Sequence, residues 1–306
     1  MTTPSTDKVL PPLATRIFKK APLCFQGQKS KWFASFSDFM DRIEQVATVK
    51  NQPVCVVDVF GGSGLLSHWA KRLKPSFTVI YNDFDNYSER LAHIHDVNVM
   101  MNALHELFPD RDKSQVNDKL TPPEMVRLRK FIEEYPGHID EHSLSCWVQF
   151  SGTLTRPIDE LVKVPNYYLH VPNNPYDEEA VSHYLDGITV IHEDASDYER
   201  FKHILEPLIP RDCLTVFVLD PPYLYCDKSG YKTSYFKLAS SIDLVKYFIH
   251  EDYFIFFNST KSGFVEFLHK LKDLVPSIRE EYERTDKCTN TNRSAKNDEF
   301  ALIRIT

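Results

Sequence analysis

Strand-length apolar runs constrain the fold of this chain more than any other feature of its sequence. Five such runs, rich in β-branched and aromatic residues, lie at 54–60, 77–83, 188–194, 214–220 and 253–258. Because they are apolar nearly throughout, they predict parallel strands that are covered on both faces. Helical patterns follow at 64–73, 86–107, 196–208, 237–250 and 263–274. This alternation predicts an α/β fold with a doubly wound sheet.

Polar residues end four of the five runs, and they are Asp83, Asp194, Asp220 and Asn258. In open α/β sheets ligands bind beyond the carboxyl ends of the strands, so we expect the functional site there. Two further strand-like segments, 278–284 and 299–306, are joined by a polar link at 289–297 and predict an antiparallel hairpin at the sheet edge. The expected fold is Rossmann-like, with a mostly parallel sheet of seven strands.

The stretch between residues 83 and 188 is about three times longer than a strand–helix–strand unit needs. We therefore expect one domain made of residues 1–95 and 187–306, with residues 96–186 inserted as a separate subdomain. Inside the insertion, the sequence Thr121-Pro122-Pro123-Glu124 predicts a helix start. The segments 146–150 and 167–171 look like short strands. After the insertion, Ser196 and Glu199 predict a capping box.

A glycine-rich turn, with the sequence Gly61-Gly62-Ser63-Gly64, follows the first apolar run. Glycines let the backbone approach a ligand closely, and a helix that starts there points its N-terminus at that ligand. The spacing differs from the dinucleotide fingerprint, and a tight turn with no ligand would look the same. Asp83, about twenty residues further on, is placed to bind ribose hydroxyls. The two features together predict a nucleoside cofactor, either NAD or S-adenosylmethionine.

The sequence Asp220-Pro221-Pro222-Tyr223 ends the fourth apolar run. An exocyclic aromatic amine is a poor nucleophile, because its lone pair is delocalised into the ring. A carboxylate from Asp220 and the carbonyl of Pro221 would accept its two N–H bonds and free that lone pair. Tyr223 would stack on a base flipped out of a duplex. A β-turn with a packed tyrosine explains the prolines, but not their place after a buried strand, so the motif predicts methylation of an amine.

In this order the motifs resemble the Dam-like alpha group of DNA adenine-N6 methyltransferases. The resemblance covers most of the chain outside the insertion, and it rests on residues 22–29, 60–64, 82–83, 193–194, 220–223, 256–259 and 297–303. It implies a class I methyltransferase fold and methyl transfer from S-adenosylmethionine to a flipped-out adenine in duplex DNA. It also implies that the insertion is the target-recognition subdomain.

The resemblance and the residue types together define the expected site. Asp220, Pro221, Pro222 and Tyr223 are the catalytic residues. The expected cofactor-binding residues are Phe25, Gly27, Lys29, Asp58, Phe60, Gly61, Gly62, Ser63, Gly64, Asp83, Asp194 and Asp220. Within this set Asp83 is expected at the ribose and Asp194 at the adenine. Candidate DNA contacts are Arg127, Arg129, Lys130, Arg156, Lys228, Tyr231 and Lys232, although a solvated charged face or a surface loop also accounts for each.

Composition excludes several classes of protein. A formal net charge of -7 gives no overall attraction to phosphate, which argues against a non-specific nucleic-acid coat protein. The six cysteines form no C-x-x-C pair, and the N-terminus is polar, so we expect reduced thiols and a cytoplasmic protein with no membrane contact. His138, His142 and Cys146 have a regular spacing but no apparent fourth ligand, so we expect no metal.

Three alternatives remain open. A cytosine-N4 methyltransferase would use the same amine chemistry, and so would an enzyme that methylates an RNA base or a protein amide. A nucleic-acid-binding relative without turnover would keep the same fold. We expect a monomer, with a dimer as the alternative, and duplex DNA is the expected partner. A cognate restriction endonuclease is a further candidate partner.

Overall fold

The computed structural model describes residues 15–109, 111, 119–150, 155–223, 243–247, 251–274, 282–290 and 296–306. Its strands form one sheet and are β1 (Val54–Asp58), β2 (Thr78–Asn82), β3 (Thr189–Ile191), β4 (Leu214–Leu219), β5 (Tyr253–Ser259), β6 (Glu283–Asn290) and β7 (Lys296–Ile305). The strand order is β3-β2-β1-β4-β5-β7-β6. Neighbours from β3 to β5 pair in parallel, whereas β7 pairs antiparallel with both β5 and β6. The predicted Rossmann-like, mostly parallel sheet of seven strands is confirmed.

The described helices of four residues or more are α1 (Phe33–Lys50), α2 (Leu65–Leu73), α3 (Tyr87–Ala92), α4 (Ile94–Leu107), α5 (Pro122–Glu134), α6 (Glu141–Val148), α7 (Ile158–Leu161), α8 (Glu178–Ser182), α9 (Tyr198–Leu205) and α10 (Phe264–Leu274). None of the helices in the described part of the chain is both long enough and apolar enough to cross a bilayer. Most of the predicted helix at 237–250 lies outside the described residues.

Alternate residues of each strand enter two different apolar layers. In β1, Val54 and Val56 pack with α1 and α2, whereas Cys55 and Val57 pack with residues of α9 and α10 on the other face. Successive side chains of a strand point to opposite faces, so a run that is apolar throughout needs helices on both sides. The sequence pattern and the three-layer architecture therefore have the same cause.

Helix α1 was not predicted, although its apolar residues have helical spacing. Phe36, Phe39, Met40, Ile43 and Ala47 lie on one face and are all buried against the sheet. The repeat of three, four and four residues is the usual signature of an amphipathic helix. The helix ends at Asn51, which takes a left-handed conformation with φ 51°.

Two local predictions were wrong. Helix α9 begins after Asp197, whose carboxylate accepts the Arg200 amide at 3.2 Å, and not after Ser196. The Ser196 amide is instead bound by Asp194 Oδ1 at 2.9 Å, so Ser196 belongs to the preceding turn. The two short strands predicted in the insertion are also absent: residues 146–148 belong to α6, and residues 167–171 contain only an isolated bridge between Tyr168 and Lys119. The predicted start at Thr121 is confirmed, with a complete capping box between Thr121 and Glu124.

The inserted residues share an apolar cluster with the N-terminal part of the chain. Leu128, Leu144 and Trp147 of the insertion pack in one cluster with Leu23 and Tyr87. Helix α4 runs through the predicted boundary at residue 95. Leu23 is held further by the Tyr87 hydroxyl, which lies 2.8 Å from its amide nitrogen. The insertion thus packs against the same segment that leads into residues 25–29.

His68 connects three separate parts of the chain. Its ring is fully buried, accepts the Phe18 amide through Nε2 at 3.0 Å and donates through Nδ1 to the Tyr184 carbonyl at 2.7 Å. The ring also stacks on Tyr184 with 4.4 Å between centroids. The Tyr184 hydroxyl donates in turn to the Ser63 carbonyl at 3.1 Å. Burial lowers the pKa of His68 to about 4, which fits a neutral ring whose Nε2 is an acceptor.

We expect His68 to make stability pH-dependent. The unfolded histidine takes up a proton below about pH 6.5, whereas the folded one does so only near pH 4, so this contribution is lost as the pH falls between those values. In His68→Gln the contribution is absent. The difference in unfolding free energy between the wild type and this variant should therefore shrink by roughly 2 kcal/mol from pH 7 to pH 4.5 in urea titrations. A difference that stays constant over this range would contradict the assignment.

Candidate active site

The glycine turn between β1 and α2 lies directly against β2. An added Cβ at Gly61 would come within 2.2 Å of the Tyr81 ring, and Tyr81 is fully buried. The Tyr81 hydroxyl donates to the Gly62 carbonyl at 2.6 Å, and Gly62 and Gly64 have φ values of 49° and 66°. Gly61 is therefore required by close approach, and the other two glycines by left-handed backbone. The turn is shaped by β2 as well as by its own sequence.

An open cleft of about 760 Å³, counting the solvent at its mouth, lies over the carboxyl ends of β1, β2 and β4. Nine of the predicted cofactor-binding residues line it, and they are Phe25, Gly27, Lys29, Phe60, Gly61, Gly62, Ser63, Asp194 and Asp220. Of the predicted catalytic residues, Asp220 and Pro222 line the cleft as well. Residues that are distant in sequence thus meet where the strand pattern places the site.

Three predicted cofactor-binding residues do not line the cleft, namely Asp58, Gly64 and Asp83. Gly64 is the residue that starts α2. Asp58 is fully buried beneath the turn, where its Oδ2 accepts the Ser67 hydroxyl at 2.7 Å. Its Oδ1 has no partner within the described structure, and burial raises the pKa of this carboxyl to about 7. Asp58 supports the turn from below.

Asp83 is bound by the start of α3. Its Oδ1 accepts the Tyr87 amide at 2.7 Å, and its Oδ2 accepts the Ser88 amide at 2.7 Å and the Ser88 hydroxyl at 2.6 Å. The side chain has no exposed surface. Its two oxygens are therefore used in holding the N-terminus of a helix, as expected for a carboxylate at that place.

Asp85 lines the cleft together with Phe84. It was not among the residues predicted from the sequence. It lies two residues beyond Asp83, on the turn that leads from β2 to α3. The sequence contains the signal, since two acids separated by one aromatic residue follow the strand. Spacing alone does not tell which acid faces the ligand, because the backbone path of the turn decides that.

Asn82, the last residue of β2, links the loops that follow the two neighbouring strands, β1 and β3. Its amide nitrogen donates to the Val59 carbonyl at 3.0 Å and the Glu193 carbonyl at 2.9 Å, and its Oδ1 accepts the Glu193 amide at 2.9 Å. The side chain is 2% exposed. It therefore fixes the spacing between the glycine turn and the turn that contains Asp194.

An ion pair between Lys29 and Asp220 occupies the centre of the site. Lys29 Nζ lies 2.8 Å from Asp220 Oδ2 and donates to the Gly27 carbonyl at 2.7 Å. The Lys29 side chain is 4% exposed and that of Asp220 is 15% exposed. The Tyr223 hydroxyl lies 3.3 Å from Asp220 Oδ1. Burial raises the pKa of Asp220 to about 6, while the Lys29 charge opposes that rise, so the carboxyl is ionised at neutral pH.

The described candidate DNA contacts interact within the chain. Arg129 donates to the Val164 carbonyl at 2.9 Å, and its guanidinium lies over the Tyr167 ring. Arg127 lies over Phe108. Arg156 binds the Gln149 side chain at 3.0 Å, and Lys130 lies 3.9 Å from Glu134. The other three candidates, Lys228, Tyr231 and Lys232, lie outside the described residues. Arg129 thus has a clear structural role.

The cleft offers both polar and apolar groups to a ligand. Asp85 and Asp194 provide acceptors for hydroxyl or amino groups, and Phe25, Phe60 and Phe84 provide apolar surface for a ring. Within the described residues, no three His, Cys, Asp or Glu side chains are grouped so as to hold a metal ion.

The strand order and a site at the strand ends define the Rossmann-like fold of methyltransferases. No protein-family model matches the chain. Over 267 residues the chain is 35% identical to a Haemophilus influenzae protein named "Putative methyltransferase", and the match covers 84% of this chain and 82% of that protein. The chain belongs to the same methyltransferase family.

We expect Gly61→Ala to destabilise the protein much more than Gly263→Ala. The first change forces the buried Tyr81 ring to move, and overpacking of this kind costs roughly 1–3 kcal/mol or more. Gly263 has φ 63° with no atom within 4 Å of an added Cβ, so its variant meets only the left-handed backbone cost of about 1 kcal/mol. Urea unfolding measures both, and equal losses would contradict the close approach.

Proposed function

We propose that this chain is an S-adenosylmethionine-dependent DNA adenine-N6 methyltransferase of the Dam-like alpha group. One observation carries the proposal: the Asp220-Pro221-Pro222-Tyr223 motif follows β4 and borders the cleft formed by the glycine turn. A methyl acceptor held by that motif would lie beside a cofactor held in the cleft. The membership of a methyltransferase family supports the same reading.

The residues of the cleft suggest how the cofactor is held. Asp85 would accept hydrogen bonds from the ribose hydroxyls, and Asp194 would lie at the adenine. The glycine turn and the 25–29 segment would surround the methionine part. When bound, S-adenosylmethionine supplies an electrophilic methyl group on a positively charged sulfur.

The motif residues would prepare the amine for direct attack. The Asp220 carboxylate and the Pro221 carbonyl accept its two N–H bonds and withdraw its lone pair from the ring. The pKa of Asp220, about 6, leaves the carboxylate ionised and able to accept at neutral pH. Tyr223 would leave its contact with Asp220 and stack on the base. Pro221 and Pro222 limit the loop to few conformations. In the transfer, a bond from the amine nitrogen to the methyl carbon would form as the carbon–sulfur bond breaks, S-adenosylhomocysteine would leave, and the amine would lose one proton to solvent. Positioning and amine activation would supply the rate enhancement without a covalent intermediate.

Adenine in duplex DNA is the preferred acceptor because of the order of the motifs and the inserted region. The first residue of the motif is an aspartate, Asp220. The chain also has about ninety inserted residues, which would contact the bases of a nucleic acid. A base in a duplex must leave the stack to reach a motif of this kind. The insertion is thus proposed as the part that selects the DNA sequence.

We expect the purified protein to transfer a tritiated methyl group from S-adenosylmethionine to duplex DNA. Nucleoside analysis should give N6-methyladenine, whereas N4-methylcytosine would support the cytosine alternative. Asp220→Ala should lose roughly 10²- to 10³-fold in kcat and keep cofactor binding, because it removes an acceptor for the amine. Asp273→Asn, at an exposed position of α10 outside the insertion and the cleft, is the control that should match the wild type.

Parallel reactions with RNA and with protein test the other acceptors. A wild-type protein that binds the cofactor but labels none of many DNA sequences would overturn the enzymatic proposal for DNA. Labelling of RNA or protein alone would assign the same chemistry to another substrate.

We expect Asp85→Asn, and not Asp83→Asn, to act mainly on cofactor affinity. Loss of a charge-assisted hydrogen bond to the ribose should weaken binding roughly 10-fold or more, with little change in melting temperature. Asp83→Asn should lower the melting temperature instead, because its carboxylate holds α3. Calorimetry with S-adenosylhomocysteine and its 2′,3′-dideoxy analogue measures the effect. A penalty that persists with the dideoxy analogue would contradict ribose binding.

A further inference from the structure

The position of the Lys29 ammonium depends on the turn that follows it. Lys29 is the residue before a short 3₁₀ turn at Ser30–Trp32, and the Trp32 amide donates to the Lys29 carbonyl at 2.8 Å. A lysine side chain is long and flexible, so the range of positions open to its charge depends on how firmly its backbone is held. Trp32 is 1% exposed and thus belongs to the core.

Trp32 is held from three directions. Its ring packs edge-on against Phe257 of β5 with 5.2 Å between centroids, and the Lys287 ammonium of β6 lies 4.8 Å from the ring centre. Lys287 also donates to the Lys31 carbonyl at 2.9 Å. The indole Nε1 donates to Glu299 Oε2 at 2.9 Å, and this bond spans 267 positions of the sequence. An indole N–H in a core needs an acceptor, which Glu299 provides.

Glu299 occupies its place because of the antiparallel strand β7. It pairs with Ser259 at the end of β5 and with Lys287 of β6. This position brings its carboxylate to the carboxyl end of the parallel strands, close enough for its charge to act on Asp220. Strand β7 thus brings a charged group near the Lys29–Asp220 pair.

We infer that Glu299 is a positioning residue of the active site: through the indole of Trp32 it holds the turn that presents Lys29 to Asp220. We call the chain of contacts from Glu299 through Trp32 to Lys29 the relay. Its catalytic meaning rests on the proposed function, whereas the contacts themselves are a property of the fold. Glu299 does not line the cleft, so it would act through Trp32 and not by contact with the methyl acceptor or the cofactor.

Two effects of Glu299 on Asp220 have opposite signs and are separable. Lys29 lowers the pKa of Asp220, so a turn that holds Lys29 in place keeps it low. The Glu299 charge raises it directly. Among the described residues, the Tyr223 hydroxyl and the neighbouring Asp58 also act on this carboxyl. Loss of the hydrogen bond between Trp32 and Glu299 and loss of the Glu299 charge should therefore shift the pKa of Asp220 in opposite directions.

Three variants separate these effects. Trp32→Phe keeps an aromatic ring but removes the N–H that binds Glu299. Glu299→Gln keeps an oxygen acceptor for the indole and removes the charge. Glu283→Gln is the matched control, because Glu283 is a carboxylate of the same hairpin that binds Arg42 on the surface.

The Asp220 carboxyl is titrated by carbon-13 NMR in protein labelled at aspartate Cγ, with Asp220→Asn to assign its signal. We expect Trp32→Phe to raise the midpoint by roughly half a pH unit or more, Glu299→Gln to lower it, and Glu283→Gln to leave it unchanged. The acid limb of kcat for methyl transfer should shift in the same directions.

A midpoint in Trp32→Phe that equals the wild type, whatever happens to the melting temperature, would falsify the relay. Equal shifts in Trp32→Phe and Glu283→Gln would also overturn it, since they would reflect a general loosening of the hairpin. If the wild type methylates no substrate, the proposed function fails, while the NMR titration still decides the relay.

Discussion

Carboxylates that follow adjacent parallel strands must be stabilised away from water, and the structure around the site is organised by this requirement. Asp58, Asp83 and Asp220 end or follow β1, β2 and β4, and the first two have no exposed surface. A buried charge is costly unless hydrogen bonds or an opposite charge offset the loss of hydration. Each of the three has a different partner, and that partner determines what the carboxylate does.

The three environments explain a division of roles that the residue type does not show. Asp83 uses both oxygens to hold α3, so it serves the fold. Asp58 has one hydroxyl partner and a raised pKa, which makes it a support beneath the glycine turn. Asp220 alone is paired with a lysine, and the pair faces the cleft. In the proposed reaction the amine would replace the lysine as the donor to one of its oxygens.

Long-range contacts bring the N-terminal segment into the site. Lys29 and Phe25 are far in sequence from the motif at 220–223, yet they form one wall of the cleft. The segment is held at one end by the cluster it shares with the insertion and at the other by Trp32 in the core. A site built in this way couples the insertion, the sheet and the final hairpin. Substitutions that disturb the cluster around Leu23 or the bond between Trp32 and Glu299 would therefore reach the Lys29–Asp220 pair, whereas a surface substitution such as Glu283→Gln would not.

The pattern of apolar residues in the sequence was enough to predict the alternation of strands and helices, the sheet with two covered faces and a functional site at the strand ends. Those features follow from local hydrophobic periodicity, which acts over a few residues. The sequence also indicated ten of the residues that line the cleft, nine expected at the cofactor and Pro222 of the catalytic motif. Three other features are visible only in the folded chain: Asp85 and not Asp83 lines the cleft, Arg129 binds within the chain, and Glu299 reaches Trp32. These facts depend on the path of a turn and on contacts between distant residues, and neither is encoded in the spacing of residue types.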